Sequence, residues 1–134
     1  MGELTRVLHV DDDEDIRTIA NLALEAVGRL TVCVCDSGPD ALAKAEAFRP
    51  DLFLLDYMMP GMDGEETARR LHELPGLADV PVIFMTARVQ GDMPQNLLDS
   101  GAIGVIAKPF DPMTLAARLR EIWEIHHAPS PDDA

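Results

Sequence analysis

The chain has 134 residues, 47% of them hydrophobic and 26% charged, which is typical of one folded domain with a sizeable core. Acidic residues outnumber basic residues 24 to 11, and the formal net charge of -13 argues against binding to nucleic acid or to an anionic membrane surface. No apolar run approaches the roughly 20 residues that span a bilayer. The N-terminus also lacks a signal-peptide pattern, so we predict a cytoplasmic protein.

Strand-like apolar runs and helix-like periodicities alternate along the chain. The strands are predicted at residues 6–10, 30–35, 52–55, 80–85 and 103–107. Five helices are predicted to follow them, the fourth near residues 93–99, where Gly91 and Pro94 disfavour its start. This alternation predicts one α/β domain with a doubly wound, flavodoxin-like parallel sheet of strand order 2-1-3-4-5 and helices on both faces. We place the domain at residues 1–126 and a flexible tail at residues 127–134.

Capping residues and helix breakers mark the predicted helix boundaries. The buried face of the first helix is predicted from apolar residues at helical spacing, namely Ile16, Ile19, Ala20, Ala23 and Val27. Gly28 ends that helix, and Asp36 or Ser37 is expected to cap the second. Asp63 is placed to cap the third helix, and Asp111 is placed to open the last one.

The cysteines, the tryptophan and the last two histidines are interpreted as structural residues and not as functional ones. Cys33 and Cys35 lie two apart on a predicted strand, which is unfavourable for a disulfide bond, and a zinc site normally needs four ligands. We interpret both as small core residues. Trp123 is interpreted as a core residue of the last helix, and His126 and His127 as tail residues.

Four of the five predicted strands end in polar side chains that could act together. Asp11 and Asp12 follow the first strand, Asp56 the third, Thr86 the fourth and Lys108 the fifth. Parallel strands place their carboxyl ends at one edge, and the crevice of this strand order opens between the first and third strands. Three carboxylates there would repel one another without a cation. Mg²⁺ suits such a site, and its charge together with that of the lysine would neutralise the three acids.

Asp56, taken alone, has the alternative interpretation of a turn or helix-capping residue. Its predicted neighbours favour phosphoryl transfer, which needs a nucleophile in line with the phosphorus and positive charge on the phosphoryl oxygens. A carboxylate can serve as that nucleophile and form an aspartyl phosphate.

The chain resembles the receiver domain of response regulators in two-component signalling, from Arg6 to about Ile125. Four motifs in order carry the resemblance: Val10-Asp11-Asp12, Leu55-Asp56 with Met-Pro-Gly-Met-Asp-Gly at residues 59–64, Met85-Thr86-Ala87, and Ala107-Lys108-Pro109-Phe110. Each motif alone is weak, but together, at these spacings and at strand ends, they are a strong signal.

The resemblance implies a metal site and a phosphoacceptor. Asp56 would accept the phosphoryl group. Asp12, Asp56 and the backbone carbonyl of Met58 would bind Mg²⁺ directly, with Mn²⁺ as an alternative ion. Asp11 would act on the ion through water. An apolar side chain at position 58 would also slow hydrolysis of the phosphoryl group.

The resemblance also assigns roles to the end of the fourth and fifth strands. Thr86 would close onto the phosphoryl group, and Lys108 would pair with its oxygens. The peptide bond before Pro109 would be cis. Arg88 would lie at the rim, with the alternative of an ordinary surface position. Many receivers carry an aromatic residue at the position of Val105, so this chain departs from the pattern there.

Because of this departure, we expect signalling to depend on Thr86 and on movement of the loop at residues 87–93, which begins with Ala87. The resemblance implies a stand-alone regulator, phosphorylated by a histidine kinase or a histidine phosphotransfer protein. Its output would pass through contacts with an unidentified protein on the face of the fourth and fifth helices and the fifth strand. It would be a monomer or weak homodimer that catalyses its own phosphorylation and slow dephosphorylation without being a turnover enzyme.

Four alternative functions fit parts of the pattern. A calcium-binding loop fails because its glycine and glutamate positions are occupied by Ile16 and Leu22. A haloacid-dehalogenase-like phosphatase would use Asp11 as nucleophile and Asp13 as acid-base, and would leave Asp56 without that role. An inactive docking module is disfavoured by the complete set of acids, threonine and lysine. A relay intermediate that passes phosphate to a histidine phosphotransfer protein stays open.

Overall fold

The computed structural model describes residues 3–87 and 101–127. Within these residues the chain forms a five-stranded parallel sheet in the order β2-β1-β3-β4-β5, as predicted. The strands are β1 (Arg6–Val10), β2 (Thr31–Cys35), β3 (Leu52–Asp56), β4 (Val82–Thr86) and β5 (Ala102–Ala107). The helices of the described residues are α1 (Glu14–Leu22), α2 (Gly38–Phe48), α3 (Gly64–His72) and α4 (Leu115–His127), and a π-helical segment (Ala23–Val27) extends α1. The helix predicted near residues 93–99 lies outside the described residues.

The helices cover both faces of the sheet and create two hydrophobic layers. Residues of α2 and α3 pack on one face, and residues of α1, the π-helical segment and α4 pack on the other. All five residues of β3 and of β4 are buried, because these central strands are covered from both sides. The apolar run predicted as a buried strand at residues 52–55 is therefore confirmed.

The buried face of the first helix differs from the prediction. Ile19 and Val27 are 43% and 45% exposed, whereas Ala20, Ala23 and Leu24 are buried. The π-helical segment accounts for Val27, because its wider turn shifts the angular position of the residues within and after it. The Gly28 N–H accordingly reaches back five residues, to the Ala23 carbonyl at 3.0 Å. Ile19 precedes that segment and lies outside the buried face of α1.

The residues predicted to open the second, third and last helices do so. Ser37, one of the two predicted candidates, caps α2 by accepting from the Asp40 N–H, and Asp63 caps α3 by accepting from the Glu66 N–H. Asp111 opens the last helix as predicted, since its carboxylate accepts the Met113 N–H at 2.9 Å and its carbonyl accepts the Leu115 N–H at 3.0 Å. Residues 112–114 form a hydrogen-bonded turn that leads into the regular helix at Leu115.

Two further interpretations can be compared with the structure. Cys35 is fully buried and Cys33 partly buried, and both are free thiols, as predicted. The interpretation of His126 and His127 as tail residues is wrong, because both belong to the last turn of α4, which continues one residue past the predicted domain boundary. His127 stacks on Trp123 with 3.9 Å between ring centroids. Among the described helices, none has the length and apolar character needed to cross a membrane.

Candidate functional site

The structure brings three of the predicted acidic residues together at the carboxyl edge of the sheet. β1 pairs with β3, and the register ends with Val10 opposite Leu55, so Asp11 and Asp56 emerge side by side. Oxygen atoms of Asp11, Asp12 and Asp56 all lie within 4.8 Å of one another. Asp11 is fully buried and Asp56 is 5% exposed, whereas Asp12 faces solvent. The crevice predicted between the first and third strands is therefore lined by carboxylates.

Lys108 joins this cluster from the far side of the sheet. Although β3 and β4 separate β1 from β5, its Nζ lies 2.7 Å from Asp11 Oδ2 and 3.1 Å from Asp56 Oδ1. Its backbone N–H donates to the Thr86 carbonyl at 2.9 Å, which fixes the start of its loop against the end of β4. The Lys108–Pro109 peptide bond is cis, as the resemblance implied.

The charges of the cluster do not cancel, since three carboxylates face one ammonium group. Burial, and then the charge of Asp11, raises the pKa of Asp56 to about 6, although Lys108 and the Met58 N–H act in the opposite direction. Burial lowers the pKa of Lys108, but its contacts with Asp11 and Asp56 outweigh this and raise it. The charge of Asp11 contributes to the first shift after burial, and a bound cation would offset that charge.

Asp11 makes hydrogen bonds through its backbone N–H, its side chain and its backbone carbonyl. Its backbone N–H donates to the Cys35 carbonyl at 3.2 Å, and its Oδ1 accepts the Asp13 N–H at 2.9 Å. Its carbonyl accepts from Arg17 Nη1 at 2.8 Å. Sequence reasoning did not single out Arg17, because an arginine in the second turn of an amphipathic helix has no feature that separates it from a surface arginine.

The Asp56 carboxylate is engaged on one oxygen. Oδ1 accepts the Met58 N–H at 3.4 Å and contacts Lys108. Across the described ranges, Oδ2 makes no hydrogen bond or ion pair. The backbone around Asp56 is packed tightly, since a Cβ placed on Gly64 would lie 2.5 Å from the Asp56 carbonyl oxygen. The Met58 side chain is 71% exposed at the rim.

The remaining predicted residues surround this centre at different depths. Thr86 ends β4 and is 7% exposed, and Ala87 follows it at the surface. Val105 lies opposite Phe84 in the sheet and is partly buried against the core. Arg88 lies outside the described residues, as does most of the loop predicted to move at residues 87–93.

His9 is a second residue that sequence reasoning missed. It lies in β1, two residues before Asp11, and is fully buried. Neither of its ring nitrogens has a hydrogen-bond partner in the described part of the chain. Burial lowers the pKa of His9 to about 4, against the attraction of Asp11, so the ring is neutral at pH 7. A polar residue inside an otherwise apolar strand was the available signal.

The donor set of the cluster fits a hard divalent cation. All three acidic side chains offer oxygen atoms, which Mg²⁺ prefers, and the net charge of three carboxylates and one lysine is -2. The fold and this cluster together define a doubly wound α/β domain with an acidic site at the crevice of its sheet.

The match of a family model identifies the chain more closely. Residues 7–120 match the response regulator receiver domain, and the chain belongs to this family. It is 40% identical over 136 residues to the transcriptional regulatory protein CseB of Streptomyces avermitilis, covering 98% of this chain and 55% of that protein. It is 41% identical over 122 residues to the cyclic di-GMP phosphodiesterase response regulator RpfG of Xanthomonas campestris, covering 89% of this chain and 32% of that protein. The chain therefore spans about half or less of these relatives.

Solved structures agree with this assignment. A structure of the chemotaxis protein CheY4 of Vibrio cholerae superposes with a TM-score of 0.81 at 31% identity, covering 89% of this chain and 98% of that one. A CheY-like receiver domain from Methanospirillum hungatei superposes with a TM-score of 0.76 at 30% identity, covering 92% of this chain and 98% of that one. The predicted family and its flavodoxin-like fold are confirmed.

Proposed function

We propose that this receiver domain accepts a phosphoryl group on Asp56, in a Mg²⁺-dependent reaction, from the phosphohistidine of a histidine kinase or a histidine phosphotransfer protein. The observation that carries the proposal is the position of the Asp56 carboxylate, 3.1 Å from Lys108 and within 4.8 Å of the carboxylates of Asp11 and Asp12. A nucleophile, an ammonium group and a set of cation ligands thus share one crevice, as phosphoryl transfer requires.

The metal ligands in this proposal are Asp12, Asp56 and the backbone carbonyl of Met58, with Asp11 acting through water. Mg²⁺, or Mn²⁺ in its place, would supply positive charge to the phosphoryl oxygens and offset the excess charge of the acids. The engagement of both Asp11 oxygens, by the Asp13 N–H and by Lys108, supports the indirect role of Asp11.

The nucleophile in this proposal is Oδ2 of Asp56, the oxygen of that carboxylate without a partner among the described residues. It forms the new oxygen–phosphorus bond while the phosphorus–nitrogen bond of the phosphohistidine breaks, and the electron pair of that bond returns to the donor's imidazole. The raised pKa of Asp56, about 6, leaves it mostly ionised at pH 7 and more basic than an ordinary aspartate.

Lys108 and Thr86 act on the phosphoryl oxygens in this proposal. Lys108 already contacts Asp56 Oδ1, so its ammonium group lies beside the place where new negative charge would arrive. Thr86 ends the neighbouring strand, at the same edge of the sheet, and its hydroxyl would donate to a phosphoryl oxygen. The protein itself thus promotes its phosphorylation and slow dephosphorylation without being a turnover enzyme.

Output and partners are proposed on the basis of the family. We propose a cytoplasmic regulator, monomeric or weakly dimeric, whose phosphorylated form contacts a protein target through the surface of β5 and α4. Among its relatives are proteins described as transcriptional regulators and a cyclic di-GMP phosphodiesterase response regulator. Those proteins are about twice as long as this chain or longer.

Intact-mass measurement tests the phosphoacceptor directly. With Mg²⁺ and a small phosphodonor, the protein is expected to gain one labile phosphoryl group, and Asp56→Asn is expected to abolish the gain. Asp79→Asn, which removes an exposed aspartate remote from the cluster in sequence, is the matched control and should behave as wild type. Phosphorylation that survives Asp56→Asn but is lost in Asp11→Asn would favour the phosphatase alternative. No phosphorylation from either a small donor or a cognate kinase would refute the proposal.

A further inference from the structure

Arg17 is linked to the acidic cluster through the backbone of Asp11. It lies in α1 and is partly buried, and its Nη1 reaches back six residues to donate to the Asp11 carbonyl at 2.8 Å. The backbone N–H of Arg17 meanwhile bonds to the Asp13 carbonyl at 3.0 Å, at the start of the helix. The arginine therefore joins both ends of the short turn between β1 and α1, which carries Asp11 and Asp12.

The bond to the Asp11 carbonyl orients more than Asp11. A peptide bond is planar, so the carbonyl oxygen of Asp11 and the backbone nitrogen of Asp12 lie in one rigid plane. Fixing the oxygen fixes the direction in which the chain leaves towards Asp12. Asp12 is exposed, and its carboxylate oxygens make no hydrogen bond or ion pair in the described part of the chain. The backbone is then the means by which this acid is directed at the cluster.

The three other hydrogen bonds of Asp11 do not control this peptide plane. The Lys108 and Asp13 contacts are made to its side-chain oxygens. The bond from its N–H to the Cys35 carbonyl belongs to the preceding peptide unit. Among the described residues, Arg17 is the partner that holds the peptide unit between Asp11 and Asp12.

We propose that Arg17 is a positioning residue for the Mg²⁺ site, which holds the Asp11–Asp12 peptide unit so that the Asp12 carboxylate faces the ion. The inference rests on the proposed function, because it assigns Asp12 as a direct ligand. A positioning role and a purely electrostatic effect predict opposite changes in Mg²⁺ affinity when Arg17 is removed. A nearby positive charge by itself repels Mg²⁺, so its removal would tighten binding. Loss of positioning would weaken binding instead.

Calorimetric titration of the full chain with Mg²⁺, well below the melting temperature, provides the test. Arg17→Met should weaken Mg²⁺ binding about tenfold, as is usual when a partner of a metal ligand is removed. Arg17→Lys retains the charge and one donor and should restore part of the affinity. Arg70→Met is the matched control, because Arg70 is half-exposed and paired with Glu66 on α3 at 3.0 Å. It should leave the Mg²⁺ affinity within about twofold of wild type.

Phosphorylation kinetics with a small donor give a second readout. The Mg²⁺ concentration for half-maximal rate should rise about tenfold in Arg17→Met, whereas the rate at saturating Mg²⁺ should return to the wild-type value. A general loss of structure would lower the maximal rate as well. If Arg17→Met does not fold, Arg17→Lys provides the same comparison with a smaller shift.

The outcomes separate this inference from the proposed function. If wild-type protein binds Mg²⁺ and Arg17→Met binds it equally well or more tightly, the role of Arg17 is overturned and the site itself stands. If wild-type protein binds no Mg²⁺, both are overturned. Weaker binding in Arg17→Met with partial recovery in Arg17→Lys supports the inference.

Discussion

The charged side chains at the amino edge of the sheet are paired, whereas acidic side chains outnumber basic ones in the cluster at the carboxyl edge. At the amino edge, Asp51 Oδ2 accepts the N–H groups of Thr5 and Arg6 at 3.1 and 2.9 Å and the Thr5 hydroxyl at 2.9 Å. The Arg6 guanidinium lies 4.2 Å from the centroid of the Phe48 ring and donates to the Phe48 carbonyl. These charges have partners that satisfy them without any added ion. The amino edge therefore contributes to stability as it stands.

At the carboxyl edge, Asp11, Asp12 and Asp56 share one lysine, and the pKa of Asp56 is raised. This arrangement costs folding free energy in the absence of a cation, because like charges are held together with little solvent. The acidic cluster is therefore maintained by the stability of the rest of the fold. Substitutions and a pH change at the two edges are expected to differ in the size and sign of their effects.

Lys108→Met should have the largest effect on metal-free protein. It removes the cation that contacts both Asp11 and Asp56, and breaking a buried pair in this way costs about 3 to 4 kcal/mol. Urea unfolding at pH 7 with a metal chelator measures the change. Lys44→Met, which breaks an exposed pair with Asp40, is the control and should cost less than about 0.5 kcal/mol. Equal effects of the two substitutions would contradict the special role of the lysine.

Acidification should destabilise the protein through His9. The pKa of His9 is about 4 in the folded state, against 6.5 for an ordinary exposed histidine. Between these pH values the unfolded chain therefore binds a proton at His9 that the folded chain does not bind. Stability from this residue is complete above pH 6.5 and is lost as the pH falls towards 4, by about 3 kcal/mol. Because the raised pKa of Asp56 acts in the opposite direction over this range, the quantity to measure is the wild-type profile minus that of His9→Phe. A flat difference between pH 7 and 4 would show that His9 does not titrate in this way.

Asp51→Ala should destabilise the amino edge by about 2 kcal/mol, since one carboxylate oxygen there accepts three hydrogen bonds. Its Mg²⁺ affinity should equal that of wild type, because Asp51 belongs to the edge opposite the acidic cluster. Chemical unfolding and Mg²⁺ titration on the same preparation measure the two quantities. A change in Mg²⁺ affinity would mean that the two edges are coupled.

Asp56→Asn should have the smallest effect and the opposite sign. Removing one of three carboxylates should stabilise metal-free protein at pH 7 by about 1 to 2 kcal/mol. The pKa of Asp56 is raised from 3.8 to about 6, so the penalty of the wild-type residue develops as the pH rises through this range, and the gain should vanish near pH 4. Thermal unfolding at both pH values checks it, with Asp79→Asn as the control. A loss of stability at pH 7 would refute the idea of unrelieved charge.

Sequence patterns predicted the strands well because burial on both faces leaves a continuous apolar run that needs no long-range information. They predicted Asp63 and Ser37 as caps for a similar reason, since a cap bonds to backbone only three residues away. Asp111 was predicted to open the last helix on the same local ground, because its carboxylate bonds to the backbone only two residues away.

The first helix shows what local pattern could not supply. Its buried face was assigned by regular periodicity, but a π-helical segment shifts Val27 outward. The segment ends at Gly28, where a Cβ would lie 2.4 Å from the Cβ of Ala116 on α4. Close contact with a helix nearly ninety positions away favours glycine there, and no pattern within α1 reveals it.

By itself, the sequence determined which side chains stand at the ends of the strands, because strand length and burial follow from short-range hydrophobic pattern. Only the tertiary structure decided which of these side chains meet. Asp11 and Lys108 are 97 positions apart, and their 2.7 Å contact depends on strand order, sheet twist and the path of the last loop. The contact of Arg17 with Asp11 and the burial of His9 also depend on how α1 packs over the sheet, and a linear sequence pattern does not contain that information.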